Sequence, residues 1–178
     1  MPSFSLPDVD GKMIADQDLS KADALLVAFL CPHCPFVKHV RQGLARLAAD
    51  YAGKNVAVVG INSNDAVAFP DDDVEGMRRE IAAAGYAFPY LRDETQDVAK
   101  AFLAACTPDF FVFDRQRRLA YRGQMDGSRP NSTTPVTGAD LRAALDALLG
   151  GNAVSSTQLP SVGCTIKWKA GNAPATSA

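Results

Sequence analysis

An apolar run, Ala24-Leu25-Leu26-Val27-Ala28-Phe29-Leu30, stops at Cys31-Pro32-His33-Cys34. Beyond it, Phe36, Val37, Val40, Leu44, Leu47 and Tyr51 recur at helical spacing, with Lys38, Arg41, Gln42 and Arg46 between them as a solvated face. A change from continuous apolar character to a 3.6-residue period places the cysteines where a buried strand turns into a helix. The first peptide N–H groups of a helix lack internal partners and carry partial positive charge. A thiol held there loses its proton more readily, and the thiolate is the nucleophile. Two intervening residues bring the sulfurs within disulfide reach across one turn. Strand, Cys-x-x-Cys and helix in that order read as a redox site.

The rest of the chain narrows the setting. Its 178 residues suit one domain with a substantial core. A net charge of −2 without a basic block gives no reason to expect nucleic acid or an anionic membrane as partner. The first residues carry no cationic start and no long apolar run, and the apolar stretch at 24–31 is too short to span a bilayer. The expected compartment is therefore the cytoplasm, where four cysteines serve catalysis or metal binding rather than a structural disulfide framework.

In chain order, Phe4, Leu6 and Val9, then Asp10-Gly11 and Met13-Ile14, predict a hairpin. Val56 to Ile61 is a continuous apolar run suited to a parallel strand. Asn62 to Pro70 reads as loop, and Asp71-Asp72-Asp73 as caps for a helix carrying Met77, Ile81 and Ala84 and ending near Gly85. Phe88 to Leu91 is a short extended piece. Asp93-Glu94-Thr95-Gln96 and Thr137-Gly138-Ala139-Asp140 read as capping boxes for two further helices. Between these helices, Phe110 to Phe113 and Leu119 to Tyr121 predict an antiparallel hairpin, and Gly123 to Gly138 a long functional or mobile loop. The domain is expected over residues 1–150. Residues 151–178 form a polar tail in which Val162, Cys164, Ile166 and Trp168 alternate, so that one face can lie on the domain.

This order resembles the thioredoxin fold: an α/β chain with a central mixed β-sheet flanked by helices and an N-terminal β-hairpin. It is most similar to the redoxins grouped with alkyl hydroperoxide reductase and thiol-specific antioxidant, on the strength of Phe4 to Lys12, Cys31-Pro32-His33-Cys34, Ile61 to Asp65, Cys106-Thr107-Pro108-Asp109-Phe110-Phe111 and Gly163-Cys164. The last three point to a peroxiredoxin-like subgroup. Two family features are missing. Counting back from Cys34 or Cys31 finds Cys31 or Ala28 where peroxiredoxins place the threonine of Pro-x-x-x-Thr-x-x-Cys. Residues 24–30 lack the buried Asp that thioredoxin keeps before its dithiol, which leaves Glu94, His39 or water to move the proton.

The resemblance implies a thiol–disulfide oxidoreductase that cycles Cys31 and Cys34. Cys31 is then the exposed nucleophile, Cys34 the buried resolving thiol, and His33 the neighbour that favours the Cys31 thiolate. Pro108 is expected in cis, leaving the Thr107 backbone free to pair with an extended partner. Cys106 is either a third redox thiol or a small buried residue, and Cys164 either a resolving or an incidental thiol. Arg129 is the best-placed cation for an anionic or peroxidic substrate, against the plainer reading of a solvated loop arginine. The implied partners are protein or small-molecule thiols and disulfides and a reductant such as thioredoxin or glutathione, with no cofactor and no metal. Competing readings are a thiol peroxidase acting through a sulfenic acid, a zinc site, and a non-catalytic module that grips a peptide along the Thr107 edge.

Overall fold

In the computed structural model, which describes residues 1–175, the chain opens with a hairpin of β1 (Ser5–Pro7) and β2 (Met13–Ala15). Asp8 accepts the backbone N–H groups of Asp10 and Lys12, and Gly11 supplies the positive φ of the turn. β3 (Ala24–Phe29) leads to α1 (Pro35–Ala52), and β4 (Val56–Asn62) to α2 (Val74–Ala84). β5 (Tyr90–Arg92), α3 (Asp97–Phe102), the two-residue β6 (Cys106–Thr107) and the hairpin β7 (Asp109–Phe113) with β8 (Leu119–Gly123) follow. α4 (Ala139–Leu149) and a short β9 (Cys164–Thr165) complete the order.

Five strands form one mixed sheet in the order β5-β4-β3-β7-β8, parallel from β3 to β5 and antiparallel from β3 to β8. β3 is buried along its length because alternate side chains enter two cores. Ala24, Leu26 and Ala28 join α1 and α4 on one face. Leu25, Val27 and Phe29 join α3 and the opening hairpin on the other, where Phe29, Phe102 and Phe111 meet edge to face. The thioredoxin-like arrangement inferred from the sequence is the one observed.

Neither expected capping box forms. α3 starts at Gln96 in the left-handed region, and its first amides are met from a distance by the buried Asp93 carboxylate, which accepts from Ala99 N at 2.9 Å. α4 starts at Gly138, with φ near +71°. The buried Asp126 accepts Thr137 N and Gly138 N at 2.8 and 2.6 Å, and also both Ser128 N and Ser128 Oγ. One carboxylate thus orders the loop between β8 and α4, which is why a segment so rich in Gly, Ser and Pro holds a defined path.

The tail from residue 151 is docked over most of its described length; residues 176–178 lie outside the described residues. Gln158, Leu159 and Ser161 bond to β8, while Lys167 and Lys169 bond to Asn64, Asp65 and Gln96. Ile166 is buried and Trp168 packs beside it on the second core, whereas Val162 faces solvent. Burying the isoleucine contributes about 1.5–3 kcal/mol.

Candidate redox site

The sulfurs lie at the carboxyl end of β3, where parallel strands of a sheet leave a crevice. Leu30 N still bonds to Ile61 O, so the strand is tethered up to the residue before Cys31. Pro35 begins α1, and Cys34 holds the N-cap with extended backbone. Proline at the first helical position sacrifices an amide that has no partner there anyway. The Thr107–Pro108 peptide is cis and presents both polar groups of Thr107 to the dithiol. The Thr107 hydroxyl lies 3.2 Å from Cys31 Sγ, and its carbonyl oxygen 3.0 Å from Cys34 Sγ.

Cys31 was expected to be the exposed member of the pair. Instead both cysteines are 0 % exposed. On the Cys34 side, β9 pairs antiparallel with β6, Thr107 opposite Cys164, and occupies the Thr107 backbone edge.

The electrostatics also differ from the sequence expectation. The Cys31 S–H donates towards Cys34, which pushes the Cys34 thiol down to about 4 against the opposing effect of burial. The Val37 N–H and the Cys164 amide and thiol approach the same sulfur and favour its charge, the Val37 contact falling short of a formal capping bond. The neighbouring Thr107 carbonyl is the group that favours the protonated form of Cys34. Cys31 moves up, first because its proton is held by Cys34, then through burial and the Asp72 charge, with the Thr107 hydroxyl opposing. The contact between the two thiols thus favours one shared proton, drawing Cys34 down and Cys31 up, while the Thr107 carbonyl holds against the change at Cys34.

His33 does not serve the Cys31 sulfur as the sequence suggests. Its Nδ1 is 3.9 Å from Cys31 Sγ but 2.5 Å from Asp72 Oδ2, and its main-chain N–H donates to Asp72 Oδ1 at 3.0 Å. An ionised carboxylate only accepts, so the ring N–H is directed at Asp72. Phe69 stacks on the imidazole with centroids 5.4 Å apart. Asn64 donates to the same carboxylate at 2.8 Å, and Asn62 donates to the Asp72 main-chain oxygen.

Asp72 is fully buried and was missed as a functional residue. In the run Asp71-Asp72-Asp73 the third aspartate is the true N-cap, accepting from Gly76 N. The preceding 3₁₀ turn, Pro70–Asp72, rotates the second one inward. The available signal was Pro70 immediately before three acids, a turn that cannot leave all three on one side.

The remaining candidates are placed as follows. Cys106 is buried, turns its sulfur towards Pro108 O at 3.5 Å, and is pushed up to about 12 by burial and then Asp109. Cys164 is half-buried beside Cys34 and raised to about 11, by burial first and then by the contact with Cys34. Arg129 donates to Asp126 O, Ser128 O and Gln124 Oε1, so its guanidinium braces the loop rather than standing ready for a substrate. Glu94 is engaged by Arg92 and Lys169 on the surface. His39 lines a small cavity with Phe36, Pro108 and Arg129, its Nε2 buried without a partner among the described residues. Arg41, read as part of a solvated face, reaches the buried Glu80 at 3.1 Å. Cys31, His33 and Asp72 place ligand-type atoms within 4.8 Å of one another. The imidazole and carboxylate are already bonded to each other, and a metal would have to break that pair.

Comparison with known proteins gives a family and a fold. The AhpC/TSA family matches residues 1–122. A hypothetical protein from Sinorhizobium meliloti 1021 has a similar structure, with 55 % identity and a TM-score of 0.94 over 96 % of this chain and 93 % of that one. An uncharacterized conserved protein from Geobacillus kaustophilus is likewise 55 % identical, with a TM-score of 0.92 over 94 % of this chain and 89 % of that one. A secreted Mycobacterium tuberculosis disulfide oxidoreductase shares the fold at 19 % identity and a TM-score of 0.61, over 81 % of this chain and 95 % of that one. No curated protein matches.

Proposed function

The chain belongs to the AhpC/TSA family, and from that membership and its paired thiols we propose that it is a thiol–disulfide oxidoreductase cycling Cys31 and Cys34. The observation that carries this reading is a pair of buried cysteines at a helix N-terminus, with the Thr107 hydroxyl 3.2 Å from Cys31 Sγ and the Thr107 carbonyl oxygen 3.0 Å from Cys34 Sγ. Such a pair has an available thiolate and an adjacent second sulfur to close the disulfide. Stabilising the reduced form through the Cys34 thiolate makes the disulfide more oxidising. Cys31 is the nucleophile and Cys34 the resolving thiol in this reading, and the contact between the thiols favours a shared proton in the reduced pair. Its partners are thiols and disulfides of proteins or small molecules, recycled by a reductant such as thioredoxin or glutathione in the cytoplasm.

The test is equilibration in glutathione mixtures of graded ratio, followed by acid quenching and peptide mapping. The expected result is that Cys31 and Cys34 disappear as free thiols together and reappear as one intramolecular disulfide. Free thiols at both positions across the whole range would exclude the reading.

A second reading rests on the Thr107 hydroxyl beside Cys31. The peroxiredoxin motif lacks its threonine in this sequence, yet the cis-proline loop brings a hydroxyl to the sulfur from elsewhere in the chain. A peroxide oxygen would pass to Cys31 as a sulfenic acid, and attack by Cys34 would release water and close the same disulfide. Peroxide consumption that survives Thr107→Val would remove the support for this reading.

A further inference from the structure

A redox pair that exchanges with partners needs a route to solvent, yet both of its sulfurs are sealed. Cys164, beside Thr107, is a thiol that does reach solvent. β9 sets it opposite Thr107, the residue that touches both sulfurs. Cys164 packs against the core cluster that contains Cys31 and Cys34, and its amide and thiol approach Cys34. Of the four cysteines it is the one that is not fully buried.

The segment is built for this close approach. A Cβ at Gly163 would stand 2.1 Å from the Thr107 carbonyl oxygen and 3.0 Å from Pro108 N, so another residue there would force β9 away from the site. On the far side Lys167 N donates to Asn64 Oδ1 at 2.9 Å, and Lys167 O accepts from Asp65 N at 2.8 Å and Gln96 Nε2 at 2.9 Å. The thiol is held at the dithiol from both sides. Cys106, which lies opposite Thr165 in the two-stranded pairing, turns its sulfur to Pro108 O and is excluded from the arrangement.

Building on the reading of Cys31 and Cys34 as a redox pair, we propose that Cys164 is a third redox thiol that relays the disulfide between Cys34 and thiols in solution. From the oxidised protein, the Cys164 thiolate attacks Cys34 Sγ. The Cys31–Cys34 bond breaks, a Cys34–Cys164 bond forms, and Cys31 leaves as a thiolate that takes up a proton. An external thiolate then attacks Cys164 Sγ, giving a mixed disulfide on Cys164 and releasing the Cys34 thiolate. A second external thiolate attacks the external sulfur, releasing a free disulfide and regenerating Cys164. Two external thiols have been oxidised and one protein disulfide reduced. The same steps in reverse reduce an external disulfide.

The proposal also bears on the kind of partner. The Thr107 backbone edge is already paired with β9, so an extended peptide has no free edge there. The exchange partner is a small thiol, or a cysteine on a projecting loop that can meet Cys164.

The experiment follows glutathione on the full chain. Wild-type protein carrying the Cys31–Cys34 disulfide is mixed with glutathione, quenched in acid at early times and mapped for adducts. The expected adduct is on Cys164. Adducts on Cys31 or Cys34 with Cys164 unmodified would overturn the relay. Cys164→Ser should still form the Cys31–Cys34 disulfide with diamide but be reduced by glutathione at least about tenfold more slowly, because access governs exchange. Reduction at the wild-type rate would overturn the relay while leaving the oxidoreductase reading intact. In Cys31→Ser, diamide should join Cys34 to Cys164, and free thiols at both positions in a folded variant would overturn the proposal. Failure of the wild type to form the Cys31–Cys34 disulfide would instead refute the underlying redox reading.

Discussion

Cys31 and Cys34 are equally buried and three residues apart, yet their surroundings have opposite sign. Cys34 faces the Cys31 thiol, the Val37 amide and the Cys164 amide and thiol, set against the Thr107 carbonyl at 3.0 Å. Cys31 faces the Asp72 carboxylate and holds one hydroxyl contact, to Thr107. The difference arises from chain geometry. Cys34 is the N-cap and lies beside the first helix amides, whereas Cys31 follows a strand whose own amides are committed to the sheet. A Cys-x-x-Cys motif therefore does not by itself say which sulfur is charged.

The largest effect should come from removing each sulfur in turn. Cys31→Ser leaves Cys34 its nearby amides, while Cys34→Ser leaves Cys31 between the Asp72 charge and the Thr107 hydroxyl. After denaturation-free iodoacetamide pulses mapped by mass, Cys34 in the first variant should label at least about a hundredfold faster at mildly acidic pH than Cys31 in the second, equivalent to two pKa units. Equal rates would erase the asymmetry.

The wild-type pH dependence sharpens the same point. Cys34 is depressed from an ordinary 9.0 to about 4, so its ionisation stabilises the reduced fold fully above the unfolded thiol's pKa. That contribution shrinks as pH falls and is gone below about 4. Thiolate absorbance of the reduced protein should show one thiolate lost near that pH, and the disulfide should become less oxidising relative to glutathione as pH falls towards it, because its reduction takes up one proton where that of glutathione takes up two. A thiolate that appears only at alkaline pH would contradict the charge assignment.

Asp72→Asn removes the charge that opposes Cys31 ionisation. Alkylation of Cys31 in a Cys34→Ser background should rise about tenfold, the effect of 1.4 kcal/mol, while labelling of Cys34 changes less. His33→Ala should have the smallest effect. The ring serves Asp72 rather than a sulfur, and Asn64 and the residue 33 main-chain N–H still hold the carboxylate. Thermal unfolding should report a loss of about 0.5–1.5 kcal/mol, with the acidic thiolate transition essentially in place.

The fold was legible because its signals are local and redundant. The apolar runs at 24–30 and 56–61, the helical spacing after Pro35 and the turns at Gly11 and Gly85 each specify their element without reference to distant residues. The site was legible only where it is contiguous in sequence. Asp72 reaches His33 across 39 positions, and Thr107 reaches Cys31 across 76. Such contacts depend on which way a short turn rotates one aspartate of three, and no periodicity records that. The capping boxes failed for a related reason. Asp93 was named but accepts from Val98 and Ala99 instead of from within its four-residue window, and Asp126 acts from outside the second window altogether. The alternation of Cys164, Ile166 and Trp168 did indicate a face for docking, but not that the face would cover Thr107.

The way the tail lies along β8 has a consequence for behaviour at high concentration. An outer strand normally offers a row of unpaired backbone groups to any neighbouring chain. Here Gln158 meets Ala120 O and Arg122 N, Leu159 O accepts Gln124 N, and Ser161 caps Gly123 O. At the opposite margin the sheet ends in the three-residue β5, where Asp8 bridges to Leu91. Both flanks of the sheet are thus closed by the chain's own ends, much as a hem keeps cloth from fraying. A chain cut after α4 would keep its dithiol helix and most of both cores, losing Ile166 from the second, but would expose β8 along its outer side, and its characteristic failure would be strand-to-strand self-association rather than unfolding.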